Sequence, residues 1–183
     1  MNILLTGERQ MGKTTVCKQV AELTHGLGYD PAGVLAPALL DEDGLPMAYH
    51  ALMVSDGEQR LLAQANGDLD GLRTGRYSFD VDVFSWVIGR LRRAISQGCD
   101  LLIIDEIGPL ELEQRRGLAP ILSDLSDGRL PPLLLVVRSE LAGRLQKWLS
   151  DIPFRTFTVT LENRQALPDA IVKELFSDYD RGR

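Results

Sequence analysis

The chain has 183 residues, of which 44% are hydrophobic and 25% charged, and a net charge of −6. That length fits one domain, taken here as 1–183, and the composition is enough for a core and ordinary for a soluble protein. The acidic balance argues against nucleic acid as a partner, because phosphate backbones recruit clustered Lys and Arg.

The N-terminus enters a short apolar run, Asn2–Thr6, that reads as a buried strand. From Lys13 the pattern turns helical through Val16, Val20 and Leu23, with Gly26 and Gly28 as the stop. Gly33–Leu40 reads as a second strand, with Pro37 calling for an edge or a bulge. Segment 41–76 changes character. Apolar runs at Ala48–Val54 and Arg60–Ala65, separated by Ser55–Glu58, predict a small antiparallel β insertion.

Asp82 to Gln97 is helical, with Phe84, Val87, Ile88, Leu91 and Ile95 on one face. Asp82 is the expected N-cap, and Asp80 and Asp82 are also weighed as groups near a metal. Arg90, Arg92 and Arg93 read as a solvated helix face. The run "LLII" before Asp105 and Glu106 predicts a central parallel strand buried on both sides. A helix around Arg116–Leu125, a buried strand ending at Arg138, and a helix over Glu140–Leu149 follow. A strand at Phe154–Thr160 and a helix from Pro168 close the pattern, and the tail "SDYDRGR" is polar. Trp86 and Trp148 fall on apolar helical faces and read as core. Strands alternating with helices predict an α/β fold of three layers, a mostly parallel sheet wrapped on both faces.

Cys17 and Cys99, with His25 and His50 as the histidines, lack metal-ligand spacing. Reduced thiols in a cytoplasmic protein are expected in place of a zinc site or a disulfide framework. Neither a leader segment nor a membrane span is expected.

Gly7-Glu8-Arg9-Gln10-Met11-Gly12-Lys13-Thr14 matches the phosphate-loop pattern G-x-x-x-x-G-K-[ST] at every fixed position. Gly7 lets the chain leave the strand sharply, and Gly12 lets backbone N–H groups approach phosphate. The free N–H groups of the following helix turn favour an anion. Lys13 would reach the β- and γ-phosphates, Thr14 would ligate Mg²⁺, and Thr15 would donate to the α-phosphate. Asp105, at the carboxyl edge of the most apolar strand, is the expected Mg²⁺ anchor. Glu106 would orient or deprotonate a water; the competing reading is that both carboxylates are solvated strand-end residues.

Arg138 and Ser139 end another strand at the same edge, where a cation would stabilise transition-state charge; a plain surface strand end is the competing reading. Asn163 and Arg164 are candidates for base or ribose contacts, against simple turn chemistry. Arg9 would either add a cation near the γ-phosphate or point to solvent, as exposed arginines usually do.

Taken together, "TGERQMGKTT", "LLIIDEIGPLEL", "VTLENRQAL" and "GRYSFDVDVF" resemble the THEP-type nucleoside triphosphatases. The resemblance covers most of the chain, and "DEIGPLEL" is its most specific part. It implies Mg²⁺-dependent hydrolysis of ATP, GTP and other nucleoside triphosphates, with loose base selectivity. It also implies a RecA-like P-loop core with an added strand between the phosphate-loop strand and the Asp105 strand. The family's loop usually carries glycine where this chain has Gln10, with small or aliphatic residues around it. A small-molecule or nucleotide kinase, and a nucleotide-responsive accessory module with little turnover, are the competing readings.

Overall fold

A computed structural model describes residues 1–69, 71–126 and 130–176. In chain order the elements are β1 (Asn2–Thr6), α1 (Lys13–Gly26), β2 (Pro31–Leu35), β3 (Ala38–Leu40), β4 (Pro46–Met53), β5 (Gln59–Ala65), β6 (Leu72–Thr74), β7 (Tyr77–Phe79) and α2 (Val81–Gln97). Then come β8 (Leu101–Ile107), α3 (Pro109–Leu112), α4 (Ala119–Asp124), β9 (Leu133–Val137), α5 (Ala142–Trp148), β10 (Phe154–Thr158) and α6 (Leu167–Phe176).

The strands form one sheet in the order β10-β1-β9-β8-β2-β4-β5-β7-β6, with β3 paired to β4. From β10 to β2 the pairs are parallel, and from β2 through β4 to β6 they are antiparallel. β9 is thus the strand inserted between the phosphate-loop strand and the Asp105 strand, as the RecA-like reading requires. The insertion does not stand apart from the core, because β4 joins β2 through Val34↔Met53 and Leu35↔Leu52.

Side chains alternate across a strand, so the unbroken apolar runs feed two cores at once. Leu4, Leu102, Ile104, Leu133, Leu135 and Val137 face one way, against α2, α4 and α5. Ile3, Leu5, Leu101, Ile103, Leu134 and Val136 face the other, against α1 and α6. Each fully buried aliphatic side chain is worth about 1.5–3 kcal/mol relative to exposure, so the central strands carry most of the stabilisation. Gly33 (φ +142°) marks a very tight approach between β2 and β8, since a Cβ there would lie 2.0 Å from the Ile103 carbonyl oxygen.

Several elements depart from the pattern read in the sequence. The expected strand Gly33–Leu40 is two strands, broken at Ala36 and Pro37. The Ala36 N–H leaves the ladder for Asp105 Oδ2 (3.2 Å), and Pro37 has no N–H but accepts from His50 N (3.1 Å). The N-cap of α2 is Asp80, whose Oδ1 accepts from Asp82 N and Val83 N; Asp82 lies inside the first turn. The helix expected over Arg116–Leu125 begins later, at Ala119, because Gly117 is left-handed (φ +59°). The short α3 carries no periodicity long enough to read.

Glu140–Leu149 opens as a 3-10 turn, Ser139–Leu141, before α5. β10 stops at Thr158, where the Asn163 side chain takes the Thr158 carbonyl and the Thr160 N–H. Trp86 and Trp148 are half-buried, with the Arg60 and Arg115 guanidinium carbons 4.2 and 3.5 Å over their rings. Arg90 pairs with Asp56 and Glu58, and Arg92 with Asp124. Cys17 and Cys99 are buried free thiols. The tail "SDYDRGR" lies outside the described residues. Among the described residues no helix is long and apolar enough to cross a membrane.

Candidate functional site

The ends of β1, β9 and β8 are neighbours, held by Leu5↔Val136 and Ile107↔Val137. Three sequence-distant segments therefore meet at one carboxyl edge: the Gly7–Thr15 loop, Arg138, and Asp105–Glu106. In open α/β sheets this edge is where ligands bind.

Gly7 (φ +145°) turns out of β1 so close to the Val159 carbonyl oxygen that a Cβ would sit 3.0 Å from it. Gly12 (φ +97°) caps α1, and the space a Cβ would enter is bounded by Arg164 Cδ at 3.7 Å. Lys13 is only 7% exposed. Its Nζ donates to the carbonyl oxygens of Gly7 (2.9 Å) and Glu8 (2.7 Å), which pins the ammonium inside the loop where phosphate oxygens would lie. Burial lowers its pKa, and the charges of Glu106 and Asp105 oppose that shift.

Between the glycines, Gln10 is left-handed (φ +61°). That conformation costs a non-glycine residue roughly 1 kcal/mol, so a glycine would be less strained at this place. Here Gln10 Nε2 donates to the Gly44 carbonyl (3.3 Å), so the β3–β4 turn touches the loop. Glu8, Arg9 and Thr15 are exposed, while Met11 packs on the α1/α6 core.

Asp105 is 2% exposed. Its Oδ2 accepts from Ala36 N, while Oδ1 is buried with no hydrogen-bond partner. Burial, and then the nearby Glu106 charge, push its carboxyl up to about 6, against the pull of the Thr14 hydroxyl, Ala36 N–H and Lys13. An orphaned buried carboxylate oxygen beside a threonine hydroxyl is a hard-oxygen pair that suits Mg²⁺.

The β8–β9 register slips between Ile104 and Ile107, which turns the two acids out of the regular ladder. Glu106 Oε1 accepts from Arg138 Nε at 3.2 Å, with the two side chains 23% and 17% exposed. The acid and the strand-end arginine thus form one partly buried ion pair. Beyond them, Glu111 in α3 is 4% exposed and accepts from Gly108 N (2.9 Å) and Leu118 N (3.1 Å). It ties the loop after β8 to the start of α4. Burial raises its pKa against those donors.

Arg164 reaches the phosphate loop, whereas Asn163 spends both ends of its amide on the turn after β10. The Asp80 carboxylate is engaged as a helix cap. Tyr49 of β4 is half-buried, and burial, then the Glu106 charge, push its phenol up to about 12.

A family model described as NTPase matches residues 2–172. A Methanopyrus kandleri protein named nucleoside-triphosphatase THEP1 is 30% identical over 177 residues, covering 95% of this chain and 94% of its own. Its namesake from Thermofilum pendens is 32% identical over 179 residues, 96% of each chain. The crystal structure of THEP1 from Aquifex aeolicus shares the fold, with a TM-score of 0.72 over 96% of this chain and 99% of that one at 20% identity. The solution structure of a human cancer-related nucleoside triphosphatase does so with a TM-score of 0.74 over 97% of this chain and 98% of that one at 23% identity.

Proposed function

The chain belongs to this nucleoside-triphosphatase family, and on that premise we propose that it is a Mg²⁺-dependent hydrolase of ATP, GTP and other nucleoside triphosphates with loose base selectivity, working as one P-loop domain. The observation that carries the reading is the unpartnered, buried Asp105 Oδ1 beside Thr14, on the same edge as the Lys13 loop and the Glu106–Arg138 pair.

In this reading the loop N–H groups and Lys13 hold the β- and γ-phosphates. Asp105 and Thr14 hold Mg²⁺, which when bound neutralises phosphate charge. Glu106 takes a proton from the attacking water. The water oxygen bonds to the γ-phosphorus, the β,γ-bridging P–O bond breaks, and its electron pair leaves on the diphosphate. Arg138, released from Glu106 as phosphate competes for it, meets the charge that develops on the γ-phosphoryl oxygens. Loose base selectivity follows if Arg164 and the loop engage phosphates and ribose and leave the base edges unread.

Phosphate release with ATP, GTP, CTP and UTP plus Mg²⁺, blanked by Lys13→Ala, tests this. Release from all four that is lost in the variant and in chelator supports it. Nucleotide consumption that needs an added acceptor overturns it.

A further inference from the structure

Glu106 stands two residues before a glycine. Ile107 is still in the sheet, paired with Val137, and Gly108 leaves it as the cap of α3. A glycine has no side chain to anchor its backbone, so the direction in which β8 ends depends on what holds the Gly108 N–H. Its partner is Glu111 Oε2, at 2.9 Å, the reach-back contact of the third helical residue to its cap. Oε1 of the same carboxylate accepts from Leu118 N at 3.1 Å, just ahead of α4. That end is firmly seated, because Leu118, Ile121 and Leu122 are buried in the core under α2.

The carboxylate thus braces Gly108 against the start of α4. Its surroundings are shaped for it. Gly117 is left-handed (φ +59°), and a Cβ there would lie 2.2 Å from Glu111 Oε1. Taking a carboxylate out of water is costly unless its oxygens are bonded. Leucine would serve for packing alone, as at neighbouring Leu110 and Leu112, which are buried too. What the carboxylate adds is two acceptor oxygens for two backbone N–H groups from different turns.

The brace closes a circuit around the acid pair. Glu106 accepts from Arg138, Arg138 follows Val137, Val137 pairs with Ile107, and Ile107 precedes Gly108. We propose that Glu111 is a positioning residue for Glu106. It holds the exit of β8 so that the Glu106 carboxylate stays where a water attacking the γ-phosphate would lie. This rests on the hydrolytic reading above, and in it Glu111 touches neither nucleotide nor water.

Glu111→Leu keeps an apolar side chain in the core and removes both acceptors. Glu111→Gln keeps the shape but offers one oxygen for two N–H groups. Sites are counted by titration with a non-hydrolysable triphosphate analogue, so unfolded protein does not enter kcat. Misplacing a reacting group by about 1 Å can cost up to about 100-fold. The expected result is a kcat about 10-fold lower or more for Glu111→Leu, with Glu111→Gln between it and wild type. KM and analogue affinity should stay within about 2-fold. In a Glu106→Gln background Glu111→Leu should cost less than about 2-fold, because the group it positions is already gone. A purely structural role would lower kcat by the same factor in both backgrounds. That result, a kcat within about 2-fold of wild type for Glu111→Leu, or a loss of analogue affinity that matches the loss of kcat overturns the proposal. Failure of wild type to release phosphate overturns the hydrolytic reading and this proposal with it.

Discussion

Arg138→Ala separates what the ion pair does for the fold from what the cation does for the reaction. Arg138 Nε lies 3.2 Å from Glu106 Oε1, with side chains 17% and 23% exposed. At an effective dielectric near 20, two unit charges at that distance attract by about 5 kcal/mol before desolvation. Both partners keep some contact with water, and Glu106 regains solvation once Arg138 is gone. The net loss of folding stability should therefore be only about 1–3 kcal/mol, read as a shift in the urea midpoint. The transition state fares worse. Removing one preorganised charged donor from developing γ-phosphoryl charge should lower kcat about 10²–10³-fold, or about 3–4 kcal/mol. Diphosphate affinity should stay within about 3-fold, because the role proposed for the pair is at the γ-phosphoryl group, which the diphosphate lacks. Arg138→Lys should recover part of kcat, since it keeps the charge but loses the fork. Steady-state phosphate release alongside diphosphate titration measures both. A kcat loss below about 3-fold, or an equal loss of diphosphate affinity, would refute the transition-state role.

Glu106→Gln should leave triphosphate binding within about 2-fold and cut hydrolysis about 100-fold or more, by phosphate release; equal release by variant and wild type removes Glu106 as the base. Gly33→Ala drives a Cβ to 2.0 Å from the Ile103 carbonyl oxygen at φ +142° and should cost about 3 kcal/mol or more in urea denaturation. A loss under about 1 kcal/mol would show that β2 and β8 separate easily there. For Glu111, burial raises the folded-state pKa above its ordinary 4.5, and the Glu106 charge adds to the rise. Its stabilising contribution is full below the ordinary value and lost as pH rises through the raised one. Wild-type stability minus that of Glu111→Gln should therefore shrink from about pH 4 to pH 8 in parallel urea series; a growing difference would contradict the assignment.

The recognisable half of the site is local. A phosphate loop works through consecutive backbone N–H groups and one lysine, so Gly7 to Thr14 can be read as a string. The aliphatic run before Asp105 is equally readable, because a strand buried on both faces must be apolar throughout. Even Gln10 signalled something, since the left-handed backbone explains why glycine suits that place. Boundaries were less readable. Pro37 announced an irregularity but not that it divides β2 from β3. Asp82 looked like a cap because it opens the periodic run, yet Asp80 has the free carboxylate in reach of the first N–H groups.

The sequence by itself determined the phosphate loop, the acid pair and the alternation of strands and helices, because each rests on neighbours in the chain or on a short repeat of polarity. Only the tertiary structure decided that Arg138 pairs with Glu106 across 32 residues and that Gln10 meets Gly44 across 34. Those contacts depend on strand order. β9 enters between β1 and β8, and β4 continues the sheet past β2, through hydrogen bonds whose partners no local pattern names. The chemistry of a group at a strand end is set by which strand lies beside it, and that neighbour is chosen by packing the whole sheet between its two helical layers.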